Sequence, residues 1–349
     1  MIVKSEEELC RIIQQILMAA GADERNATGV AQHLARANLS GVDTHGIWQL
    51  PGYVEAIQAG ELQPRAWPEI IQEGANHVLI TGNWTFGHIA GRYATEVAIE
   101  KAREHGMAVA GVVQITHFGR LGHYVEMAAE AGMIAVVMDG GLSETRPVTV
   151  PYQGSKAVLN TNPIAMGFPA GEGWPMMFDF ATTTLSGSKI ANYRERGAQL
   201  PPNSVVDKVG NPSVDPEVCF SGGGNFVPFG LHKGYALMMG VEYFGRMLTG
   251  SDTYAEVGRG GDIMGHHGVS LIVIKADLFR PLADFAESAE AMQHRVRAVP
   301  SAPGFDEVLA PGDLEARSRA ARRRDGIPVA EHIWQTVTEL ALSLGLEEI

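Results

Sequence analysis

Four polar turns in this sequence place histidine beside glycine. They are Asp-Thr-His-Gly around His45, Thr-His-Phe-Gly-Arg-Leu-Gly-His at residues 116–123, Leu-His-Lys-Gly around His232, and Gly-His-His-Gly at residues 265–268. Histidine titrates near neutral pH and suits proton exchange with a substrate, while glycine lets a ligand approach the backbone. A single turn of this kind is more often a surface or capping turn, but four in one chain favour at least one functional site. The histidines outside these turns for which we predict structural roles are His33, His77, His88, His105 and His294.

Other catalytic signatures are absent from the sequence. It contains no GxGxxG dinucleotide fingerprint, no Gly-Lys-Ser/Thr phosphate loop, no HExxH zinc motif and no GxSxG nucleophile turn. Any nucleotide must therefore be held by a different kind of turn. A metal-dependent hydrolase or lyase that uses the histidine turns stays open as an alternative.

Composition excludes several classes of protein. The chain has 349 residues and a formal net charge of −13, which disfavours nucleic-acid binding. The two cysteines, Cys10 and Cys219, cannot build a disulfide framework in a chain of this length. The first residues carry acids instead of an apolar signal core, and no apolar run approaches the ~20 residues of a membrane span. We expect a cytoplasmic, soluble protein that binds neither nucleic acid nor membrane.

Hydrophobic periodicity places helical ends around a mixed α/β middle. Ser5 and Glu8 have capping-box spacing, Asp23 can cap a second helix, and a third ends near Gly60, so roughly the first seventy residues read as helical. The predicted strands are residues 78–80, 108–113, 134–138, 177–179 and 269–274, and the predicted helices are residues 89–104, 124–131, 235–248, 314–324 and 329–344. The polar, proline-containing stretch 286–305 predicts a loop or a connection between domains.

The histidine turns belong to a longer ordered pattern. Gly-Val-Asp-Thr-His-Gly (41–46), Thr-His-Phe-Gly-Arg-Leu-Gly-His-Tyr (116–124), Asn-Thr-Asn-Pro-Ile-Ala (160–165), Phe-Asp-Phe-Ala-Thr (178–182), His-Lys-Gly-Tyr-Ala-Leu (232–237) and Leu-Ala-Pro-Gly-Asp (309–313) follow one another. With this order the chain resembles the malate/L-lactate dehydrogenase family of NAD(P)-dependent oxidoreductases, which includes ureidoglycolate dehydrogenase, diketogulonate reductase and piperideine-carboxylate reductase. The resemblance implies a non-Rossmann fold in which the nicotinamide binds on a largely antiparallel sheet, and this would account for the missing GxGxxG.

The resemblance also implies roles for individual residues. His45 matches the acid/base histidine, Thr44 is placed to orient it, and His117 is the rival because its counterpart has that role in some members. The implied cofactor contacts are His117, Phe118, Gly119, Arg120, Leu121, Asp179, Phe180, Ala181, His232, Lys233, Pro311, Gly312 and Asp313. Gln49 and Tyr53, one helical turn apart, are predicted to face the substrate together with Thr161, and no residue is assigned to a metal.

Two positions depart from the family pattern. Gln49 replaces an arginine that clamps a substrate carboxylate in many members, so we consider Arg120 and Arg146 as substitutes. Lys189 stands where some reductases of cyclic imines have an acid, which weighs against that substrate class.

An arginine cluster bears on the choice of cofactor. Its members Arg317, Arg319, Arg322, Arg323 and Arg324 could contact the 2′-phosphate of NADP, although a solvated helix face is the better reading. The sequence therefore leaves NAD or NADP as the cofactor.

Together these observations predict a mixed α/β protein whose termini form one helical layer beside a central, largely antiparallel sheet. The predicted segments are a helical part with the His45 turn (1–75), an α/β cofactor-binding body (76–285) and a C-terminal helical part (286–349). The predicted function is interconversion of a small 2-hydroxy acid and its 2-oxo acid by a homodimer whose cofactor site lies near the subunit interface. A catalytically silent nicotinamide-binding protein is a further alternative.

Overall fold

The computed structural model describes residues 1–141, 146–171 and 173–347, without the side chains of residues 262 and 263. In chain order, the helices are α1 (Glu6–Ala19), α2 (Glu24–Leu39), α3 (Leu50–Gln58), α4 (Gly87–His105), α5 (Gly122–Glu130), α6 (Gly187–Glu195), α7 (His232–Glu242), α8 (Gly261–Met264), α9 (Leu282–Arg297), α10 (Asp313–Asp325) and α11 (Glu331–Ser343). The strands are β1 (Ile2–Lys4), β2 (Glu69–Glu73), β3 (His77–Thr81), β4 (Met107–Val113), β5 (Met133–Gly140), β6 (Ile164–Phe168), β7 (Met176–Phe180), β8 (Val205–Val206), β9 (Pro212–Ser213), β10 (Asn225–Phe226), β11 (Gly268–Lys275) and β12 (Ile327–Val329). Short 3-10 turns at Asp43–His45 and Ile47–Gln49 join α2 to α3, and a π-helical turn, Tyr243–Met247, extends α7.

Local sequence signals explain where the first helices begin. The Ser5 hydroxyl accepts a hydrogen bond from the Glu8 N–H at 3.1 Å, and the Glu8 carboxylate accepts one from the Ser5 N–H at 2.7 Å. Asp23 likewise accepts from the Asn26 N–H at 2.8 Å. Both predicted caps are confirmed, because each satisfies backbone donors that a helix start leaves free.

A seven-stranded sheet in the order β2-β3-β4-β11-β5-β6-β7 forms the centre of the fold. In the described ranges only the β3–β4 pair is parallel, so the predicted mixed α/β fold with a mostly antiparallel sheet is confirmed. The strand register brings the C-terminal ends of β3, β4, β5 and β7 to the same edge as the N-terminal ends of β6 and β11. We call this the site edge.

The two chain ends share one hydrophobic core. Apolar residues of α1, α2 and α3, such as Leu9 and Ile16, pack in one cluster with Val337 and Ala341 of α11. β1 also pairs directly with β12, with Ile2 opposite Val329. A second core lies between the sheet and helices α4 and α5. No helix in the described ranges combines the length and apolarity needed to cross a bilayer.

Two expectations from the sequence, the loop at 286–305 and the all-helical first seventy residues, need correction. The predicted loop at 286–305 is wrong for its first half, where α9 continues to Arg297; its alanine, glutamate, glutamine and arginine residues are good helix formers, and the prolines follow its end. The first seventy residues also contain β1 and the start of β2, strands that form by pairing with β12 and β3. The segment boundary at 75/76 falls inside the β2–β3 hairpin and the one at 285/286 falls inside α9, while residues 348 and 349 lie outside the described ranges.

Candidate functional site

The site edge gathers residues from distant parts of the chain. His117 follows β4, Thr161 precedes β6, and Asp179 lies near the end of β7. The 3-10 turn Asp43–His45 adds a histidine from the helical layer, and the ring centroids of His45 and His117 are 5.7 Å apart. The fold thus brings together two histidines that the sequence marked as rivals.

The His45 turn is braced from two sides. Arg322 of α10 makes a two-point ion pair with Asp43 at 2.6 and 2.9 Å. The Asn38 amide donates to Asp43 at 2.8 Å, and its oxygen accepts from the Ile47 N–H at 2.8 Å. A Cβ at Gly46 would collide with the Asn38 carboxamide. Glycine is therefore required at position 46, because the backbone packs closely against Asn38.

His45 has a hydroxyl neighbour and a carboxylate neighbour. Thr44 Oγ1 lies 3.1 Å from Nδ1 of His45. Burial lowers the pKa of His45, while the charge of Asp179 raises it and that of Arg120 lowers it. Burial in turn raises the pKa of Asp179, whose carboxylate accepts from the Gly122 N–H at 2.7 Å. Asp179 therefore lies where it stabilises a proton on His45.

Tyr53 connects His117 to a histidine that the sequence reading had classed as structural. Its hydroxyl lies 2.7 Å from Nδ1 of His117 and 3.2 Å from Nε2 of His88. Tyr53 is buried. Burial of His117 itself, and to a smaller extent the charges of His45 and His267, lower the pKa of His117 to about 3. His117 is neutral at physiological pH.

Two further histidines support this cluster. Nε2 of His33 accepts from the Arg120 N–H at 3.0 Å, and the His33 ring stacks on His123 at 4.6 Å. Burial lowers the pKa of His33, His88 and His123 well below the usual value. The sequence predicted only structural roles for His33 and His88 and did not place them in this cluster. For His33, the available signal was its position on the apolar face of α2, beside Val30 and Leu34.

Neither candidate carboxylate clamp is a free arginine at this site. The Arg120 guanidinium is buried and pairs with Glu126 at 2.8 Å, so the proposal that it replaces the missing clamp is wrong. Arg146 is exposed and follows residues 142–145, which lie outside the described ranges. Gln49 is half-buried and donates to the Thr44 carbonyl at 2.8 Å.

The remaining residues of the first cofactor turn differ in exposure. Phe118 and Leu121 are buried in the core between sheet and helices, so their side chains do not face a ligand. Gly119 is half-buried with a φ of 75° and is packed against His88 and His33. Only the backbone of this turn is placed to contact a cofactor.

A second group of predicted residues lies where β7 leaves the site edge. Phe180 is exposed, stacks on Phe178 at 5.0 Å and meets the Phe229 ring edge-on at 5.7 Å. The Phe229 N–H donates to the Thr182 carbonyl at 3.0 Å. This bond brings the start of α7, with His232 and Lys233, close to Ala181 and to Thr161, whose carbonyl accepts from Thr182.

Lys233 is available for an anionic ligand. It is exposed in the first turn of α7 and makes no ion pair within the part of the chain that the structure describes. Leu231, which immediately precedes the first residue of α7, has a φ of 57°, which is unusual for a residue with a side chain. A cation and the exposed Phe180 ring together suit a phosphate attached to a flat ring system.

The turn at residues 311–313 lies elsewhere. Gly312 packs against Pro175 and Met177 at the first end of β7, away from Phe180. Asp313 is bound by Arg297 at 2.6 and 2.9 Å and by the Ala310 N–H at 2.8 Å. The structure does not bring this turn to the site edge beside Lys233.

The arginines of α10 are mostly bound to carboxylates. Arg319 is buried against Glu126 at 2.6 Å, and Arg322 holds Asp43. Reading these two residues as a solvated face is wrong, because α10 packs onto α2. Arg317 and Arg324 pair with Glu307 and Asp325 at the surface.

Within the described residues, no group of three or more His, Cys, Asp and Glu side chains is arranged to hold a metal ion. The histidines of the cluster around His33 and His88 are instead bonded to a tyrosine hydroxyl or a backbone N–H, or stacked on each other. The geometry supports proton transfer between His45, His117 and a small polar substrate.

Comparison with known proteins shows what this chain is similar to. Residues 4–338 match the family described as malate/L-lactate dehydrogenase. Similar proteins include L-sulfolactate dehydrogenase of Methanothermobacter thermautotrophicus, 32% identical over 98% of this chain and 97% of that protein, and hydroxycarboxylate dehydrogenase B of Escherichia coli K12, 31% identical over 98% and 94%. The crystal structure of malate dehydrogenase from Entamoeba histolytica superposes with a TM-score of 0.91, at 28% identity over 99% of both chains.

Proposed function

Because this chain belongs to the malate/L-lactate dehydrogenase family, we propose that it interconverts a small 2-hydroxy acid and its 2-oxo acid with His45 exchanging the proton. The observation that carries this assignment is that the His45 ring lies 5.7 Å from the His117 ring and that the charge of Asp179 opposes the lowering of the His45 pKa by burial. A nicotinamide bound at the site supplies or accepts the hydride. The protein must supply the proton and hold the oxygen that gains or loses it.

His45 is the better proton carrier of the two histidines. Asp179 stabilises the imidazolium form of His45. Burial, by contrast, is the main reason why the pKa of His117 is lowered to about 3. In reduction, His45 donates a proton to the oxygen that becomes the hydroxyl. In oxidation, neutral His45 removes it.

His117 serves as a neutral hydrogen-bond donor. The buried Nδ1 of His88 has no partner, and a buried acceptor without a partner is less costly than a buried N–H without one. We therefore assign the proton of His88 to Nε2, from which it donates to Tyr53, and the Tyr53 proton is then donated to Nδ1 of His117. His117 keeps its proton on Nε2 and can polarise the substrate carbonyl.

The dinucleotide is proposed to bind without a Rossmann unit, between the end of β7 and the start of α7. The Lys233 ammonium would hold the pyrophosphate, and Phe180 would contact a ring. His232, Ala181 and the backbone of residues 117–121 complete the proposed set near Lys233. The turn formed by Pro311, Gly312 and Asp313, at the first end of β7, would meet the opposite end of the extended dinucleotide. Since Asp313 is engaged by Arg297, that turn would contribute backbone groups only.

The choice between NAD and NADP is a matter for direct binding. Four of the five α10 arginines are engaged by carboxylates, which removes the sequence argument for a 2′-phosphate contact there. Gln49, Tyr53 and Thr161 are the proposed substrate-side residues. Because Gln49 is not charged, the substrate carboxylate is held by hydrogen bonds at this position and not by a bidentate arginine.

Residues 1–75 and 286–349 carry the His45 turn and its brace in this proposal, and residues 76–285 carry the sheet and the cofactor region. A cytoplasmic homodimer is proposed, supported by an exposed apolar face on α7 and its π-helical extension. Leu237, Phe244 and Leu248 lie along this face, and Leu248 is 61% exposed. Its position on the helix of Lys233 is consistent with a cofactor site near the interface.

One experiment tests the function directly. NADH and NADPH are titrated by fluorescence, and turnover is then measured with a panel of 2-oxo acids that includes oxaloacetate, pyruvate and sulfopyruvate. We expect binding of at least one cofactor and oxidation of that cofactor by at least one acid. Cofactor binding without turnover would favour the silent alternative, and no binding together with stoichiometric metal would favour a hydrolase or lyase.

A further inference from the structure

The turn Gly-His-His-Gly has not yet been given a role, and its second histidine is part of a buried hydrogen-bonded chain. Nδ1 of His267 lies 2.8 Å from the Asp139 carboxylate, and Nε2 lies 2.9 Å from the amide nitrogen of Asn160. All three residues are less than 7% exposed. Because the Asn160 amide donates, Nε2 of His267 accepts, and the ring proton sits on Nδ1 facing Asp139.

The hydrogen-bonded residues Asp139, His267 and Asn160 lie at the site edge, beside the neighbouring strands β5, β11 and β6. Asp139 is at the end of β5, His267 immediately precedes β11, and Asn160 precedes β6. The Asp139 N–H also donates to the carbonyl of Pro163 at 3.2 Å. Residues 160–163 are therefore held to β5 by both backbone and side-chain bonds.

Asp139 and Asp179 point from the same face of the sheet. Side chains alternate along a strand, so Asp139 shares a face with Val137, and Asp179 shares a face with Met177. Val137 and Met177 belong to one core cluster, under α4 and α5. The hydrogen-bonded residues Asp139, His267 and Asn160 thus approach the same space that His45 and His117 occupy.

The surrounding backbone accommodates this arrangement. A Cβ at Gly141 would collide with the His267 ring, so glycine is required for the ring to reach Asp139. Asn162, two residues after Asn160, adopts a φ of 40° and donates to the Met238 carbonyl and the Glu242 carboxylate. Thr161, a proposed substrate residue, lies between these two anchored asparagines.

We propose that His267 is a positioning residue for the substrate: held by Asp139, it fixes the Asn160 carboxamide and residues 160–163 against the space beside His117, where the 2-oxo acid binds. This inference rests on the proposed function, whose substrate side it specifies. Since Asp139 needs only to accept the Nδ1 proton, an asparagine there can keep His267 in place through its own oxygen. The cofactor contacts proposed around Lys233 do not depend on the hydrogen bonds among Asp139, His267 and Asn160.

The test compares His267→Phe, Asn160→Ala, the double variant and Asp139→Asn, all as the full chain. His266→Phe is the matched control, because His266 is partly exposed and bonded to Asp252 at the surface. We expect KM for the preferred 2-oxo acid to rise about tenfold in each single variant of His267 and Asn160, with no further rise in the double variant. Asp139→Asn and His266→Phe should stay within about twofold of the wild type, and the NADH or NADPH dissociation constant should stay unchanged throughout.

The outcomes separate the two claims. Unchanged KM in His267→Phe and Asn160→Ala, with a wild type that turns over, overturns the positioning role and leaves the function intact. Additive KM effects, or an equal loss of cofactor affinity, also overturn it. If His267→Phe fails to fold by circular dichroism, the KM of Asn160→Ala decides the question. A wild type that reduces no 2-oxo acid with either cofactor rejects the function and the positioning role together.

Discussion

The Tyr53 hydroxyl lies 2.7 Å from Nδ1 of His117 and 3.2 Å from Nε2 of His88. Tyr53 stands on α3, shortly after the His45 turn, whereas His117 lies in the loop after β4 and His88 lies on α4. One hydroxyl therefore ties the helical layer to the site edge. It also determines which nitrogen of His117 is left to face the substrate.

Removing this hydroxyl should loosen His117 without emptying the pocket. We expect Tyr53→Phe to lower kcat about 3- to 10-fold, the effect of one hydrogen bond, while cofactor affinity stays the same. Steady-state kinetics with the preferred acid measures this, with Tyr193→Phe on α6 as the control. A wild-type kcat in Tyr53→Phe would show that the bridge does not orient His117.

Replacing the proton carrier should have a much larger effect. His45→Gln is expected to lower kcat by ~10²–10⁴-fold, because a positioned acid or base contributes that much to proton transfer. Cofactor binding and the circular dichroism spectrum should be preserved, and His332→Gln, on the exposed side of α11, is the control. A variant that keeps most of its kcat would move the role to His117.

The pH profile of oxidation should depend on Asp179. The pKa of His45 is below 6.5, and oxidation needs neutral His45, so kcat/KM for the 2-hydroxy acid should rise with pH and level off above that pKa. Asp179 raises the pKa of His45, so Asp179→Asn should move the inflection to lower pH. An inflection that stays in place, or moves upward, would contradict the pairing of the two residues. Asp252→Asn, beside surface His266, should leave the profile unchanged.

Lys233 should matter for cofactor binding alone. Lys233→Ala is expected to weaken NADH or NADPH affinity by about 1.5–3 kcal/mol, the value of a charge-assisted hydrogen bond to phosphate. Fluorescence titration measures it, with exposed Lys208→Ala as the control. Unchanged affinity would remove Lys233 from the proposed site.

A buried carboxylate should control the stability of the helical layer. Glu126 is fully buried and binds Arg120, Arg319 and Arg36 at 2.8, 2.6 and 3.1 Å. Glu126→Gln leaves buried guanidinium charges unpaired, and we expect the free energy of unfolding to fall by about 3–5 kcal/mol at pH 7. Glu130→Gln, which affects only a half-exposed pair with Arg36, should cost less than about 1 kcal/mol.

The same carboxylate predicts a pH dependence. Burial would raise the pKa of Glu126, but the charges of Arg120, Arg319 and Arg36 outweigh burial and lower it. A lowered pKa means that the contribution is present above the unfolded value of 4.5 and is lost as the pH falls below it. Chemical denaturation at a series of pH values should show a weaker loss below pH 4.5 in Glu126→Gln than in the wild type. Parallel curves would contradict this origin of acid sensitivity.

The sequence by itself determined the features that depend on neighbouring residues. The capping box of Ser5 and Glu8, the Asp23 cap, the main strands and the turn that holds Thr44 beside His45 all involve groups within a few positions of each other. Such features follow from local hydrogen bonding and hydrophobic period, which a sequence displays directly. For the polar stretch that forms the second part of α9, the loop prediction was wrong because its composition resembles that of a loop, although its residues are good helix formers.

Only the tertiary structure decided how the site is assembled. Tyr53 and His117 are 64 positions apart, His267 and Asp139 are 128 apart, and Arg319 and Glu126 are 193 apart. These partners meet because antiparallel pairing returns distant strand ends to one edge and because α10 packs on α2. Arg120 and Arg319 could not be told from free arginines in the sequence, since a buried charge is recognised by its partner and the partner is chosen by strand order and helix packing.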